Sequence, residues 1–265
     1  MSPLKRKING LRRSPMAFGI VLFAGLLVVG SGYTAVQAAV SPSTAVTRSQ
    51  EQIDLGKKLF LSNCASCHGK NAEGSLNAPS LIGVGEASVD FQVSTGRMPG
   101  AASGPQLQVK PVQFTADQIS ALAAYVGSLA DGPSIPDAAY LQANGEVSKG
   151  RALFLTNCAM CHNAAGAGGA LTQGKYAPKL MGSSEKTIYE AMLTGPQNMP
   201  VFNDANITPA EKNDVITYLK YLQTNRSVGG DELGNLGPVV EGLVAWLGLL
   251  GLIIAITIWL GAKSN

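Results

Sequence analysis

Every cysteine and every histidine of this chain lies in one of two copies of a pentapeptide, Cys64-Ala65-Ser66-Cys67-His68 and Cys158-Ala159-Met160-Cys161-His162. Cys-x-x-Cys-His is the attachment sequence of haem c, in which two thiols form thioether bonds to the porphyrin and the histidine presents its imidazole to the iron. Because the two copies account for all four cysteines and both histidines, the sequence predicts two covalently bound haem c groups.

Other uses of these cysteines explain the pattern less well. A zinc site would have to combine ligands from two motifs that lie 94 residues apart, and it would leave the histidines redundant. A thioredoxin-like dithiol requires a βαβ pattern, which the sequence does not show. Structural disulfides suit an exported chain, but they do not explain the histidine that follows the second cysteine of each motif.

Two uncharged segments near the ends of the chain indicate membrane insertion. No charged residue lies between Arg13 and Arg48, and residues 17–30 are almost wholly apolar. Residues 242–262 form a second charge-free run, long enough to cross a bilayer, with Trp246 and Trp259 near its two ends. We therefore expect a transmembrane helix over residues 241–262 and an N-terminal membrane anchor within residues 1–40.

Basic residues flank both segments and predict their orientation. Five lysines and arginines precede the first segment, and Lys263 follows the second. The positive-inside tendency then places both termini in the cytoplasm and the intervening chain outside the plasma membrane, in a multi-pass arrangement. Val36-Gln37-Ala38 also resembles a cleavage site, so a removable signal peptide is the alternative to the retained anchor that we favour.

The charge of the exported part excludes an electrostatic reason for binding nucleic acid. The whole chain carries a formal net charge of +3, but residues 41–237 contain 14 basic and 16 acidic side chains. The positive excess therefore belongs to the cytoplasmic ends, where it favours contact with membrane lipid.

An internal repeat divides the exported part into two domains. The matching segments are Gly56–Cys64 with Gly150–Cys158, Ala78-Pro79 with Ala177-Pro178, Met98-Pro99 with Met199-Pro200, and the helical patterns after Thr115 and Thr208. Their offsets along the chain are 94, 99, 101 and 93 residues, so insertions separate fixed elements. The sequence predicts homologous domains at 50–130 and 145–227, a stiff linker at 131–144, and a flexible glycine-rich tether at 228–240.

The final segment of each repeat reads as a helix. Thr115 and Thr208 have the character of N-caps, and Pro209 suits the first helical position of the second copy. Each domain has only about 80 residues, which is small for a self-sufficient apolar core. We expect three or four helices to pack around a covalently held porphyrin, which supplies the missing apolar surface.

Methionines are the remaining candidates for the second axial position of each iron, since His68 and His162 are the only histidines. In the first domain Met98 is the only methionine available. In the second domain Met181, Met192 and Met199 compete; Met199 is favoured because it precedes a proline as Met98 does. Met160 lies inside its own attachment loop, where it is too constrained to reach the far face.

The expected ligands predict electron transfer without substrate binding. Met/His ligation raises the reduction potential of haem and leaves no open coordination position for oxygen or peroxide. The carbonyl groups of Pro79 and Pro178 are expected to accept a hydrogen bond from Nδ1–H of His68 and His162, respectively. The sequence contains no pattern typical of a catalytic nucleophile, a carboxylate dyad or a phosphate-binding loop.

The order of helix, attachment motif, proline, Met-Pro and final helix resembles class I cytochrome c, and it occurs twice. With an N-terminal anchor and one C-terminal span, the whole chain resembles the dihaem cytochrome c subunit of the actinobacterial cytochrome bcc complex. The resemblance implies an all-α fold of two tandem class I cytochrome c domains. It also implies a subunit of a quinol–cytochrome c reductase that transfers electrons and has no substrate site of its own.

The same resemblance implies the partners. Electrons would come from the Rieske iron–sulfur subunit of a menaquinol-oxidising complex that also contains cytochrome b, and the N-terminal haem would face that donor. They would leave to the copper centre of a haem–copper oxidase. The alternatives are a free-standing anchored dihaem carrier, the cytochrome subunit of a periplasmic dehydrogenase and a dihaem peroxidase. Glycines in the last span would favour packing on another membrane helix, although glycine is common in such helices.

Overall fold

The computed structural model describes residues 15–40, 48–102, 104, 106–225 and 238–262. The N-terminal basic segment, the tether up to residue 237, the last two residues of the second predicted domain and Lys263 lie outside these ranges. The chain divides into two units, Met1–Thr47 and Arg48–Asn265. Helices predominate in the described ranges, which confirms the all-α prediction.

The first unit contains helix α1, Pro15–Val40. In the second unit, the first repeat contributes α2 (Gln50–Asn63), α3 (Ala65–His68), α4 (Gly85–Ser94) and α5 (Ala116–Gly127). The second repeat contributes α6 (Val147–Asn157), α7 (Ala159–His162), α8 (Glu185–Thr194) and α9 (Pro209–Thr224). It also contains the strands β1 (Gly169–Ala170) and β2 (Tyr176–Ala177), which pair antiparallel around a 3₁₀ turn, Thr172–Gly174. Helix α10 spans Pro238–Ala262.

The last helix of each repeat begins where the sequence predicts. The side chain of Thr115 accepts a hydrogen bond from the backbone N–H of Gln118, and the side-chain oxygen of Gln118 accepts one from the backbone N–H of Thr115. Thr208 and Glu211 form the same reciprocal pair at the start of α9, and Pro209 occupies the first turn. These capping boxes satisfy backbone donors that a helix start leaves open, so both predicted N-caps are confirmed.

A close helix crossing builds the core of each repeat. A Cβ atom on Gly56 of α2 would lie 1.9 Å from the carbonyl oxygen of Ala121 in α5, and one on Gly150 of α6 would lie 1.9 Å from that of Asp214 in α9. Only glycine permits this approach. One turn further along, aromatic rings meet across each crossing, and the attachment motif begins one helical turn after the phenylalanine. The ring pairs are Phe60–Tyr125 and Phe154–Tyr218, with centroids 5.3 and 5.6 Å apart.

Helices α4 and α8, one from each repeat, pack on each other. They have the same length and correspond at an offset of 100 residues, so Asp90 and Glu190 are equivalent positions. Both carboxyl groups are buried, and Lys186 lies between them, with Nζ 2.5 Å from Asp90 and 3.8 Å from Glu190. The equivalent helices of the two copies therefore pack on each other through an acidic pair and one lysine.

The predicted linker is packed at both ends. The backbone N–H of Ala87 in α4 donates to the carbonyl of Pro133. A 3₁₀ turn at Ala138–Leu141 places Tyr140 against Tyr189 of α8, with ring centroids 6.5 Å apart. The linker thus follows the surface of both repeats as an ordered strap, a role that its composition alone did not show.

One helix in the described ranges, Val240–Ala262, is long and apolar enough to cross a membrane, with a mean hydropathy of 2.5. It agrees closely with the predicted span. The apolar stretch of α1, Gly19–Gly32, is shorter.

Candidate haem-binding sites

Each attachment motif forms one helical turn at the end of a helix. In the first repeat, Cys64 ends α2, and its carbonyl accepts hydrogen bonds from the N–H groups of Cys67 (3.1 Å) and His68 (2.9 Å). In the second repeat, Cys158 accepts from Cys161 (3.2 Å) and His162 (2.9 Å). Residues three apart on a helical turn share a face, so each motif presents its two thiols together. The histidine that follows is buried in both copies.

The four cysteine side chains are available for thioether bonds. All four are free of disulfide bonds. Burial, with a smaller contribution from Cys67, raises the pKa of Cys64 to about 11. Burial, with a smaller contribution from Cys161, raises the pKa of Cys158 to about 11. This shift is opposite in direction to that of a redox-active dithiol, whose nucleophilic thiol has a lowered pKa.

Proline carbonyls orient both imidazoles. Nδ1–H of His68 donates to the carbonyl oxygen of Pro79 over 2.8 Å, and Nδ1–H of His162 donates to that of Pro178 over 3.0 Å. Burial lowers the pKa of His162, although its hydrogen bond to Pro178 opposes the shift. Its imidazole is therefore neutral at pH 7, with Nδ1 occupied and Nε2 left as the metal-binding nitrogen.

Two glycines that the sequence reasoning missed hold these loops in place. The N–H of Gly74 donates to the carbonyl of His68 (2.7 Å), and the N–H of Gly168 donates to that of His162 (2.9 Å). Both have positive φ, and a Cβ atom on either would come within 3 Å of the backbone that carries the proline. They occupy equivalent positions at the offset of 94, so the internal alignment could have identified them.

Met98 lies in the loop that follows α4, and a backbone carbonyl of α4 binds this loop. Its N–H donates to the carbonyl of Gln92 over 2.9 Å, and its half-buried side chain packs against the core that contains Phe60 and Val93. The N–H of Arg97 donates to the same carbonyl over 3.0 Å. The methionine is thus fixed at the border of the core and is not fully enclosed in it, as an axial ligand requires.

The methionines of the second repeat differ in their surroundings. Met192 is buried in α8 as part of the apolar core, whereas Met160 is 94% exposed on the attachment loop. Met181 packs beside Gly166, in the loop that follows His162. Met199 is half-buried against the core, and its N–H donates to the carbonyl of Pro196 over 3.1 Å. Met181 is half-buried against the same core, so what Met199 alone shares with Met98 is a place directly before a proline.

The donor set of each repeat fits haem c. Two thiols share one turn, a buried imidazole is held through Nδ1, and a half-buried thioether lies in the following Met-Pro loop. No cluster of three or more histidine, cysteine, aspartate or glutamate side chains in the described ranges is arranged to hold a metal ion, so the two motifs do not converge on one shared zinc site. Bound through these groups, haem c would supply reversible one-electron chemistry.

Two family profiles match the two repeats. Residues 53–130 match the family "Cytochrome c", and residues 145–219 match "Cytochrome C oxidase, cbb3-type, subunit III". Both matched segments contain an attachment motif and the last helix of their repeat, or most of it.

Similarity to individual proteins extends over nearly the whole chain. The "Cytochrome bc1 complex cytochrome c subunit" of Corynebacterium diphtheriae is 40% identical over 277 residues, covering 98% of this chain and 97% of that protein. The protein of the same name from Corynebacterium efficiens is 42% identical, covering 98% of this chain and 94% of the relative. A "Cbb3-type cytochrome c oxidase subunit FixP" from Sinorhizobium medicae is 30% identical but covers only 43% of this chain and 40% of its own length.

Proposed function

Because the chain belongs to the family of cytochrome bc1 complex cytochrome c subunits, we propose that it is the membrane-anchored dihaem electron carrier between that complex and a terminal oxidase. Electrons enter from the Rieske iron–sulfur centre of a menaquinol-oxidising complex that contains cytochrome b. They leave to the copper centre of a haem–copper oxidase in the respiratory chain. The subunit takes part in quinol–cytochrome c reduction by transferring electrons, and the quinol is oxidised elsewhere in the complex.

The observation that carries this proposal is the duplicated histidine geometry. Both imidazoles are buried and both donate through Nδ1 to a proline carbonyl, His68 to Pro79 and His162 to Pro178. This arrangement fixes the ring and leaves Nε2 for an iron. Cys64, Cys67, Cys158 and Cys161 would carry the thioether bonds.

The methionines decide what kind of site each becomes. With Met98 and Met199 as the sixth ligands, both positions on each iron are filled by the protein. Neither site then admits a substrate, which separates an electron carrier from a dihaem peroxidase. Two closed sites in one chain form a relay and not a catalytic centre.

The membrane segments and the charge fit a carrier that does not diffuse. Helix α10 is long and apolar enough to hold the C-terminus in the membrane. Together with a retained N-terminal anchor, it would place both termini in the cytoplasm and the domains at 50–130 and 145–227 outside. Residues 41–237 are nearly neutral, with 14 basic and 16 acidic side chains, so long-range charge steering has little to act on. A tethered carrier works instead at a high effective concentration.

Extraction from native membranes tests the assignment. The protein is purified in mild detergent through a C-terminal tag, and a reduced-minus-oxidised spectrum is recorded together with the haem c content per chain. We expect two haem c per chain, accompanied by haem b and haem a at fixed ratios. Haem c alone would indicate a free-standing anchored carrier, and haem c with a periplasmic dehydrogenase would indicate the other alternative.

A matched pair of variants tests the attachment residues themselves. Replacing Cys67 by alanine should leave one haem c per chain with the spectrum of the second site. Replacing Cys161 by alanine should leave the spectrum of the first. If either variant retained two haem c groups, the motif would not be an attachment site.

A further inference from the structure

The segment Gln106–Lys110 forms hydrogen bonds to the backbone on both sides of Met98. The backbone N–H of Lys110 donates to the carbonyl of Gly96 over 3.1 Å, and its Nζ donates to the carbonyl of Pro99. These two carbonyls flank Met98 along the chain. Gly96 has a φ of +71°, and a Cβ atom there would lie 1.8 Å from the carbonyl oxygen of Lys110, so the approach requires glycine.

The same segment reaches the second repeat through Gln106. Its Nε2 donates to the carbonyl of Tyr176 over 2.9 Å, and its Oε1 accepts from the N–H of Tyr176 over 2.7 Å. One amide side chain thus occupies both backbone hydrogen-bonding groups of a residue in β2. Tyr176 lies two residues before Pro178, whose carbonyl accepts from His162. Gln106 therefore binds the strand that directly precedes Pro178, the hydrogen-bond acceptor of His162.

Both partners of this contact belong to parts in which the repeats differ in length. Between the attachment motif and Ala-Pro, the offset rises from 94 to 99, so the second repeat has five additional residues there. Between Met-Pro and the last helix, the offset falls from 101 to 93, so the first repeat has eight additional residues. Gln106 lies in the longer loop of the first repeat and Tyr176 in the longer loop of the second. The extra residues of the first repeat are therefore in contact with the extra residues of the second.

A second observation places Tyr176 beside the Met98 loop. The side chain of Tyr176 lies close enough to the guanidinium of Arg97 to interact with it electrostatically. Arg97 is the residue directly before Met98, and its guanidinium stacks over Phe91 of α4 at 5.0 Å from the ring centroid. The side chain and the backbone of Tyr176 thus both face the first repeat.

We propose that the segment Gln106–Lys110 couples the two candidate haem sites, with Gln106 as the positioning residue that holds the histidine loop of the second site against the methionine loop of the first. The inference rests on the proposed function, because it assumes that electrons pass between the two sites. One electron moves in that transfer, and no bond forms or breaks. Its rate depends on a fixed separation and orientation of the sites, which a two-bond bridge between their loops provides.

The test compares Gln106→Ala with Gln108→Ala in the full-length holoprotein. Gln108 is exposed on the same segment, and its side chain makes no hydrogen bond with the residues that the structure describes, so it is the matched control. Gln106→Glu keeps the acceptor but loses the donor. Deuterium uptake of residues 169–177 reports the contact. The reduction potentials of the two haems and the rate of electron equilibration between them after rapid photoreduction report its role.

For Gln106→Ala we expect the protection of Tyr176 to fall by roughly 5- to 30-fold, since one or two net hydrogen bonds change an opening equilibrium by about that factor. Electron equilibration should become slower and lose its single phase, while both potentials and both haem spectra stay as in the wild type. Gln106→Glu should lie between, and Gln108→Ala should match the wild type.

Three results would overturn the coupling role: unchanged protection, unchanged equilibration despite lost protection, or an equal effect of Gln108→Ala. A wild-type protein without two closed haem sites would instead refute the proposed function. Even then, the exchange data would decide whether Gln106 joins the two loops.

Discussion

Replacement of Glu190 by glutamine should stabilise this protein and remove a pH dependence of its stability. Glu190 is 1% exposed, and burial followed by the interaction with Asp90 raises its pKa to about 9 from an ordinary value of 4.5. Neither carboxylate oxygen accepts a hydrogen bond from the described residues, and Lys186 Nζ is 3.8 Å away. The folded state therefore favours the protonated acid, which can donate to Asp90.

The sign follows from proton linkage. Between pH 4.5 and 9 the folded protein holds a proton on Glu190 that the unfolded chain releases. The free energy of unfolding then falls as the pH rises, by up to about 1.4 kcal/mol per pH unit. At pH 7 the penalty for keeping the acid protonated amounts to about 3 kcal/mol, because the pH lies 2.5 units above the ordinary pKa. Glutamine has the same shape, donates a hydrogen bond and carries no such penalty.

Urea unfolding of the full-length holoprotein, followed by far-ultraviolet circular dichroism at pH 5, 7 and 9, measures the effect. Glu185→Gln is the matched control, five residues earlier on α8. Hydrogen bonds from its own backbone N–H and from Lys220 lower the pKa of Glu185. Its contribution is therefore present above the ordinary pKa and is lost as the pH falls through the lowered value. Because the pair with Lys220 is partly exposed, Glu185→Gln should cost at most about 1 kcal/mol at pH 7.

Few charged groups lie near Glu190, so the pH dependence of the unfolding free energy tests its protonation directly. Asp90 and Lys186 are its charged neighbours, and Glu86, one turn before Asp90 on α4, is paired with Arg48. If wild type and Glu190→Gln showed the same slope of unfolding free energy between pH 5 and 9, or if the variant were less stable at pH 7, the shared-proton account would be wrong.

Three further outcomes follow from the same structure. Met98→Ala should abolish the six-coordinate, high-potential signature of one haem only, seen in its absorption spectrum and redox titration, whereas Met192→Leu should leave both haems unchanged and cost less than about 1.5 kcal/mol. Phe154→Ala, at a fully buried position, should lower the unfolding free energy by about 3–5 kcal/mol in urea titrations. Lys212→Met removes the buried Nζ that donates to Asp204 over 2.6 Å and should destabilise the second repeat by ~1–3 kcal/mol, measured in the same way.

Local chemistry explains what the sequence could predict. The attachment pentapeptides and the N-caps at Thr115 and Thr208 depend on residues within one helical turn, so their spacing in the chain is their spacing in space. The repeat extends this reach, because a feature found in one copy is expected in the other. Gly74 and Gly168 could have been predicted from the sequence, because an alignment of the two repeats places them at equivalent positions.

Contacts between the repeats could not be predicted in this way. Gln106 and Tyr176 are 70 residues apart in the chain. Each lies in a loop that is longer in its own repeat than in the other, so the internal alignment gives no equivalent residue for either. Gln106 shares its loop with Gln108 and Gln113, and nothing in the sequence of that loop indicates which glutamine binds a partner. Similarly, nothing in the periodicity of α4 or α8 shows that they face each other, since each has a buried side in its own domain as well.

The contact between α4 and α8 shows how a duplicated domain can pack on its own copy. When equivalent helices meet, equivalent residues come together. An acidic residue at the same position of both helices then places two like charges in one buried contact, here Asp90 and Glu190. Position 86 in the first copy is a glutamate paired with Arg48, but its equivalent, Lys186, is a cation that contacts Asp90 at 2.5 Å. This reversal of charge in one copy cancels one carboxylate, and the raised pKa of Glu190 neutralises the other. The contact is therefore neutral only because the two helices are not identical. A Lys186→Glu change would restore their symmetry and should separate the repeats. Small-angle X-ray scattering of the purified holoprotein would detect this separation as an increase in the radius of gyration.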